Sequence, residues 1–274
     1  MEINKLLEKK LKEAKATGSD IDSQPDLSSE IWEPGYPQLR ALGVVKEVPE
    51  GSTSLIIPVP GKLTPGTSFG TSDVTFVGMT YNTITLGNPV GVNLGWTREY
   101  IEDAPWDAVA PQLKEAGRAL EQKLFEDILS TIDNAGVSNT FTLSGTITWA
   151  NFVEGISKLA EDDYECDIVI CHPSEYAELL QLDQFVNAAY MGSSEPISSG
   201  VLRTTLGVTI VSSSVCTDGK MYFIDSDKAL AVAQRRDKKA EEYSYPDQNL
   251  YGVVVSSRYG IKVILEKAIA IGTK

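Results

Sequence analysis

The chain is poor in the residues that most enzymes use for chemistry. It holds one histidine, His172, and three cysteines, Cys166, Cys171 and Cys216. A single histidine confines imidazole acid–base and metal chemistry to one place. Three cysteines cannot build a disulfide framework, so their number fits a reducing interior better than a secreted scaffold. Long apolar runs are missing too: stretches such as residues 168–170 and 252–255 fall far short of the ~18 residues of a membrane span. The first fifteen residues alternate charge with leucine and lack the apolar segment of a signal peptide. A soluble intracellular product is therefore expected. Positive charge is also scarce, with 24 Lys and Arg against 38 Asp and Glu and a formal net charge of −14. That balance argues against a surface that grips nucleic acid throughout. No G-x-x-x-x-G-K-[ST] loop, no G-x-G-x-x-G after a strand and no G-x-S-x-G elbow occurs, which removes the common phosphate, dinucleotide and serine-hydrolase signatures.

What remains is a chain able to fold. With 274 residues, 42% apolar and 23% charged, it can bury a real core as one large domain or two small ones. Residues 1–17 carry Ile3, Leu7, Leu11 and Ala14 at helical spacing, a stripe that cannot support an isolated helix in water. Residues 19–49 lose all periodicity and carry Pro25, Pro34, Pro37 and Pro49, which reads as an extended arm ordered against another surface. Residues 52–59 and 73–86 are β-rich and flank the Pro/Gly segment 60–66, the pattern of a long hairpin. A two-stranded hairpin is marginal alone. Leu55, Ile57 and Val59 alternate on one face, with Val74, Phe76 and Met79 on or near the second strand and Lys62 at the tip.

A long helix follows. Val109, Leu113, Ala116, Leu120, Leu124, Ile128 and Ile132 draw one continuous apolar stripe, and Asn134-Ala135-Gly136 closes it. The next region reads as α/β: a helix over 149–160, a buried strand over 166–171, a helix over 174–184 entered through Pro173, and strands over 208–212 and 221–224. Further strands over 229–233, 250–256 and 261–271 surround a charged excursion, 235–242, read as a solvated loop. Gly87, Gly91 and Gly95 recur every four residues and read as bends or bulges in a strand.

The chemical candidates are few. His172 adjoins Cys171, but strand neighbours point to opposite faces, and Cys166 lies at the far end of the strand. Nothing in the sequence places Cys216 near them. The four residues lack the paired C-x₂₋₄-C spacing of a zinc site. The acids Glu161, Asp162, Asp163 and Glu165 read as a solvated turn. Asp225 and Asp227 lack the further oxygen ligands of a calcium loop. The sequence therefore predicts no catalytic residue, no cofactor and no metal.

The order of elements and three stretches carry a resemblance. Residues 98–103 with the helix 112–133 form the first. The second is Asp167 to Tyr176, an apolar strand running into His172-Pro173-Ser174. The third is the run 207–212, followed by 221–225 and 251–260. From about residue 51 onward the chain resembles the major capsid proteins of tailed double-stranded DNA viruses, which share the Hong Kong 97-like fold. The resemblance implies an α+β fold with an N-terminal arm, residues 1–50, and an extended hairpin (the E-loop), residues 51–87. It implies a peripheral domain with a long spine helix, residues 88–133 and 229–258, and an axial α/β domain, residues 134–228 and 259–274. It implies a non-enzymatic subunit that assembles with itself through pentamers and hexamers into an icosahedral shell. That shell would enclose double-stranded DNA without sequence-specific binding and without a membrane. Portal and scaffolding or decoration proteins would be partners, the location would be the virion capsid, and assembly would occur in the host cytoplasm. Leu55, Ile57, Val59, Lys62 and Phe76 are then the expected subunit contacts. Some members of this family cross-link a hairpin lysine to an asparagine; Lys62 and Asn249 lack the surrounding motif. A shell subunit of an encapsulin-like compartment is the alternative of the same fold, and a Cys-dependent hydrolase is the alternative of another class.

Overall fold

The computed structural model describes residues 44–48, 52–60, 79–103, 109–143, 145–182, 185 and 207–274. Val74, Phe76, Lys62 and the predicted helix in residues 1–17 lie outside the described residues. The chain divides into two compact units.

The first unit contains residues 88–124 and 235–259. Strand β4 (Val90–Thr97) runs straight into helix α1 (Arg98–Asp103), and helix α2 (Val109–Asn134) contributes its first part here. Strand β4 pairs antiparallel with β10 (Leu250–Val263) from Val90 against Ser257 to Thr97 against Leu250. Trp96, Ile101, Leu113, Ala116, Leu120, Val253 and Val255 bury one another between helix and strands. Trp96 Nε1–H donates to Gln112 Oε1 at 2.8 Å, satisfying the indole where it enters the core.

The glycines of β4 have a different reason from the one expected. The register through Gly91 and Gly95 is unbroken, with Gly95 opposite Gly252, so neither marks a bulge. They make room instead: a Cβ on Gly91 would lie 3.1 Å from the Val255 carbonyl oxygen and one on Gly95 3.3 Å from the Tyr243 hydroxyl, and Gly252 of β10 is tighter still. A Cβ on Gly252 would lie 2.3 Å from the Tyr243 ring and 2.4 Å from the Leu94 carbonyl. Tyr243 crosses the strand there and donates its hydroxyl to Asn93 Oδ1 at 2.5 Å.

The second unit contains residues 38–87, 125–234 and 260–274. Its centre is a five-stranded sheet in the order β5 (Asn139–Thr142), β11 (Ile269–Thr273), β8 (Lys220–Ile224), β6 (Ile168–Cys171), β7 (Thr209–Ser212). Strands β6 and β7 are parallel, as are β11 and β5, while β8 runs antiparallel to both of its neighbours. Every residue of β6 is buried, as expected of a strand covered on both faces. Helix α3 (Trp149–Ala160) starts at a capping box in which Thr148 and Asn151 satisfy each other's backbone N–H. Its Phe152 meets Phe185 edge-on at 5.2 Å and Phe223 at 5.7 Å. Gly155 lets the helix settle on Phe223, since a Cβ there would lie 2.5 Å from that ring.

Three further features belong to this unit. The end of α2 is tied to β8: Asp133 accepts from Lys220 Nζ at 3.0 Å and from the Tyr222 hydroxyl at 3.1 Å. Val44–Glu47 form strand β1, parallel to Ala231–Gln234 of β9 (Leu230–Tyr245), and Val48 is buried beside Ala231 and Ala233. The last residues before the hairpin thus pair with the chain's own sheet. Strands β2 (Ser54–Pro60) and β3 (Met79–Thr85) form an antiparallel ribbon.

Candidate assembly surfaces

The ribbon has two unlike faces because side chains alternate along each strand. On one face, Leu55 pairs with Ile84 and Ile57 with Asn82. Ile57, Ile84 and Leu86 are buried together with Val48, Ala231 and Ala233, and Leu55 and Ile264 pack against them. Asn82 Nδ2 donates to the Ile264 carbonyl at 3.2 Å, and Lys262 Nζ donates to the Thr83 carbonyl at 3.3 Å. A Cβ on Gly260 would lie 2.3 Å from the Thr85 carbonyl oxygen, so glycine is what lets β10 approach the ribbon so closely. This corrects the expectation for Ile57: its own chain already covers it. Leu55 and Val59 are half-buried on the same side.

The opposite face carries the apolar surface. Ile56 is 59% exposed, Met79 58% and Tyr81 64%. Pro58 stands directly across from Tyr81 and is also exposed. The sequence pattern missed these residues because Ile56 and Ile57 are adjacent and alternation alone does not say which parity faces inward. The signal that could have found them lies in β3, where Ile84 and Leu86 share one parity and Met79 and Tyr81 the other.

The charged excursion 235–242 is not a loop. It belongs to β9, which runs unbroken from Leu230 to Tyr245. Its charges are tolerated because each face has an outlet. Arg236 donates to Ser256 Oγ at 3.0 Å, Lys238 forms a shielded ion pair with Glu121 of α2, and Lys239 pairs with Glu241 at 2.8 Å in solvent. Asn249 ends the β9–β10 turn at φ 54°, a left-handed conformation that asparagine accepts. Its amide donates to Glu99 Oε1 at 2.6 Å, so it is engaged within its own chain.

No thiol sits against the histidine. Burial pushes the Cys166 and Cys216 thiols up to about 12 and the Cys171 thiol higher still, which leaves them protonated and unreactive. His172 has left the strand and caps helix α4 (Pro173–Leu179), its Nδ1 accepting from Ser174 N–H at 3.3 Å. It lies near Glu175 and Asp218 instead. That grouping was invisible in sequence, since Asp218 comes from the loop between β7 and β8. The hydrogen bond from the Ser174 hydroxyl, helped by the Lys274 charge, holds the Asp218 carboxyl below the usual carboxylate range. Asp162 pairs with Lys267 at 2.6 Å. Asp225 accepts from the backbone N–H of Asp227 and Lys228 at 3.2 Å, the role of a turn cap rather than a calcium ligand.

Residues 89–271 match the family model described as phage capsid protein. The chain belongs to the phage capsid protein family. Solved structures extend the match to the fold. The capsid of the cyanophage P-SCSP1u superposes with a TM-score of 0.66 at 14% identity, covering 85% of this chain and 86% of that one. The bacteriophage PhiM1 mature capsid gives 0.63 at 14% identity, covering 93% and 90%. A virus-like particle from Pyrococcus furiosus gives 0.63 at 16% identity, covering 89% and 95%. No curated protein sequence is similar enough to the chain to be matched to it. The capsid protein thus has the Hong Kong 97-like α+β fold, and its role is that of a major capsid protein, a structural subunit of a virion shell. Among its described residues no helix is long and apolar enough to cross a membrane.

Proposed function

We propose that this capsid protein assembles through pentamers and hexamers into an icosahedral shell around double-stranded DNA, with the ribbon β2–β3 acting as the E-loop laid over a neighbouring subunit. The observation that carries this reading is the exposed face of Ile56, Pro58, Met79 and Tyr81 on a ribbon whose other face is already filled. Apolar residues in such an array are an aggregation hazard unless another surface covers them. In this reading the unit built on β4 and the first part of α2 is the peripheral domain, and the unit built on the five-stranded sheet is the axial domain. Residues 1–50 are the arm, with its last strand already docked. Leu55 and Val59, at the half-buried margin of the ribbon, complete the contact begun by the exposed face. Portal and scaffolding or decoration proteins complete the particle, and assembly proceeds in the host cytoplasm. In this reading the subunit's role is structural.

Electron microscopy of the purified full-length chain, beside sedimentation velocity, tests this directly. Closed shells of uniform size are expected. A monodisperse species of about 30 kDa under all conditions, close to the 29.8 kDa of one chain, would overturn it. The similarity to the virus-like particle from Pyrococcus furiosus favours one second reading, a protein compartment that encloses cargo protein. Nuclease-protected double-stranded DNA inside particles from the native source supports the virion, and a protein cargo without DNA supports the compartment.

A further inference from the structure

Several polar side chains converge where β6 enters α4, and the shell reading gives them no task. His172 Nδ1 lies 3.6 Å from Asp218 Oδ1 and 3.8 Å from Glu175 Oε2. Between them sits the Ser174 hydroxyl, 2.7 Å from His172 Nδ1, 2.9 Å from Glu175 Oε2 and 2.6 Å from Asp218 Oδ1. A hydroxyl carries one proton. Because Nδ1 uses its lone pair on the Ser174 N–H, the two carboxylate oxygens are left to compete for that single proton.

Glu175 makes the shortage acute. It is 0% exposed. Its Oε1 is well served, by Gly219 N–H at 3.1 Å and Lys274 Nζ at 3.3 Å. Its Oε2 points into the cluster, where its one hydrogen-bond contact is the contested hydroxyl. A shared hydroxyl proton is thin support for a buried carboxylate oxygen. The charge count agrees: Glu175, Glu178 and Asp218 stand against Lys274, which reaches Glu175 and Glu178.

We infer that His172 Nδ1, Glu175 Oε2 and Asp218 Oδ1 bind a divalent transition-metal ion of the zinc type, clamping the start of α4 to the β7–β8 loop. An imidazole nitrogen with carboxylates is a donor set for zinc and its neighbours rather than for calcium. The three ligand atoms lie within 4.8 Å of one another. Ligands of a tetrahedral zinc stand roughly 3.3–3.5 Å apart at bond lengths near 2.0–2.2 Å, so the two spacings from His172 Nδ1, 3.6 and 3.8 Å, need close by only a few tenths of an ångström. The ion takes the Nδ1 lone pair in place of the weak 3.3 Å bond from Ser174 N–H, and it supplies the positive charge that Oε2 lacks. Asp218 is exposed and leaves an entry path, and the fourth position falls to water or to the Ser174 hydroxyl.

The test uses the full-length chain, stripped of metal, titrated with Zn²⁺ alone by calorimetry and with Co²⁺ by visible absorption. Two variants keep it falsifiable: Asp218→Asn changes an exposed loop residue, and His172→Asn retains a helix-capping side chain. The wild type should bind one zinc per chain, develop the d–d absorption of tetrahedral cobalt and melt higher with zinc. Each variant should bind at least about tenfold more weakly while its circular dichroism matches the wild type. Absence of saturable zinc binding by the wild type, or wild-type affinity in either variant, overturns the assignment.

Discussion

The five-stranded sheet and the β2–β3 ribbon sit in the same unit and solve the same problem in opposite ways. The sheet is finished by its own chain: β6 is buried along its whole length, β8 from Met221 to Ile224, and β11 from Ile269 to Gly272. The ribbon is finished on one side only, with Ile57 and Ile84 inside and Ile56, Met79 and Tyr81 outside. Buried side chains are thus concentrated in the sheet, and exposed apolar side chains stand on the ribbon's outer face, where the proposed shell contact lies.

The largest effect should come from the sheet. Phe152→Ala removes a fully buried ring that touches Phe185 and Phe223, and the loss should be about 3–5 kcal/mol. Urea unfolding of the unassembled subunit measures it. A loss no larger than that of a surface substitution would mean that the sheet is not the stability centre, and the comparison would collapse.

The inner face of the ribbon comes next. Ile57→Ala opens a space among Val48, Ile84 and Ala231, at a cost of about 2 kcal/mol, the low end for such truncations because one neighbouring element is only two-stranded. The same unfolding curve reads it. No change would show that the ribbon is not held by this cluster.

The outer face should behave in reverse. Ile56→Ser combined with Tyr81→Ser should leave subunit stability within about 0.5 kcal/mol, as for exposed positions elsewhere, yet block closed shells in electron micrographs. Normal shells from this variant would remove the exposed face from the contact. A destabilisation equal to that of Ile57→Ala would show that the two faces are not distinct.

How much of this was legible in sequence depended on what each residue's neighbours were. Helix α3 and the α2 stripe were readable because a 3.6-residue period with breakers at the ends specifies a helix without reference to anything distant. The stripe still missed Phe125 and Leu129, both buried, because steps of four residues drift around a helix of 3.6 residues per turn. The charged half of β9 was unreadable as a strand, since its legitimacy comes from Glu121 and Ser256, far away in the chain. The inward parity of β2 and the meeting of His172 with Asp218 failed for the same reason: each is decided by pairing, not by local pattern.

The smallest effect sharpens the comparison without touching stability. All three cysteines belong to the sheet's unit, at Cys166, Cys171 and Cys216. For Cys166 and Cys216, burial raises the thiol from 9.0 to about 12, so at any pH below the ordinary value each holds about a thousandfold less thiolate than a free cysteine. Because the shift is upward, raising the pH from 7 to 8 leaves both thiols still overwhelmingly protonated. Reaction with an aromatic disulfide reagent should therefore be slow in the folded subunit and become fast in denaturant. The Ile56→Ser, Tyr81→Ser variant should label at the wild-type rate, since its substitutions lie on the ribbon's outer face. Phe152→Ala should label faster, because it loosens the core that covers Cys171. Equal acceleration in both variants would mean that ribbon and sheet open together as one cooperative unit, and the division between a finished region and an unfinished one would then be a matter of surface alone.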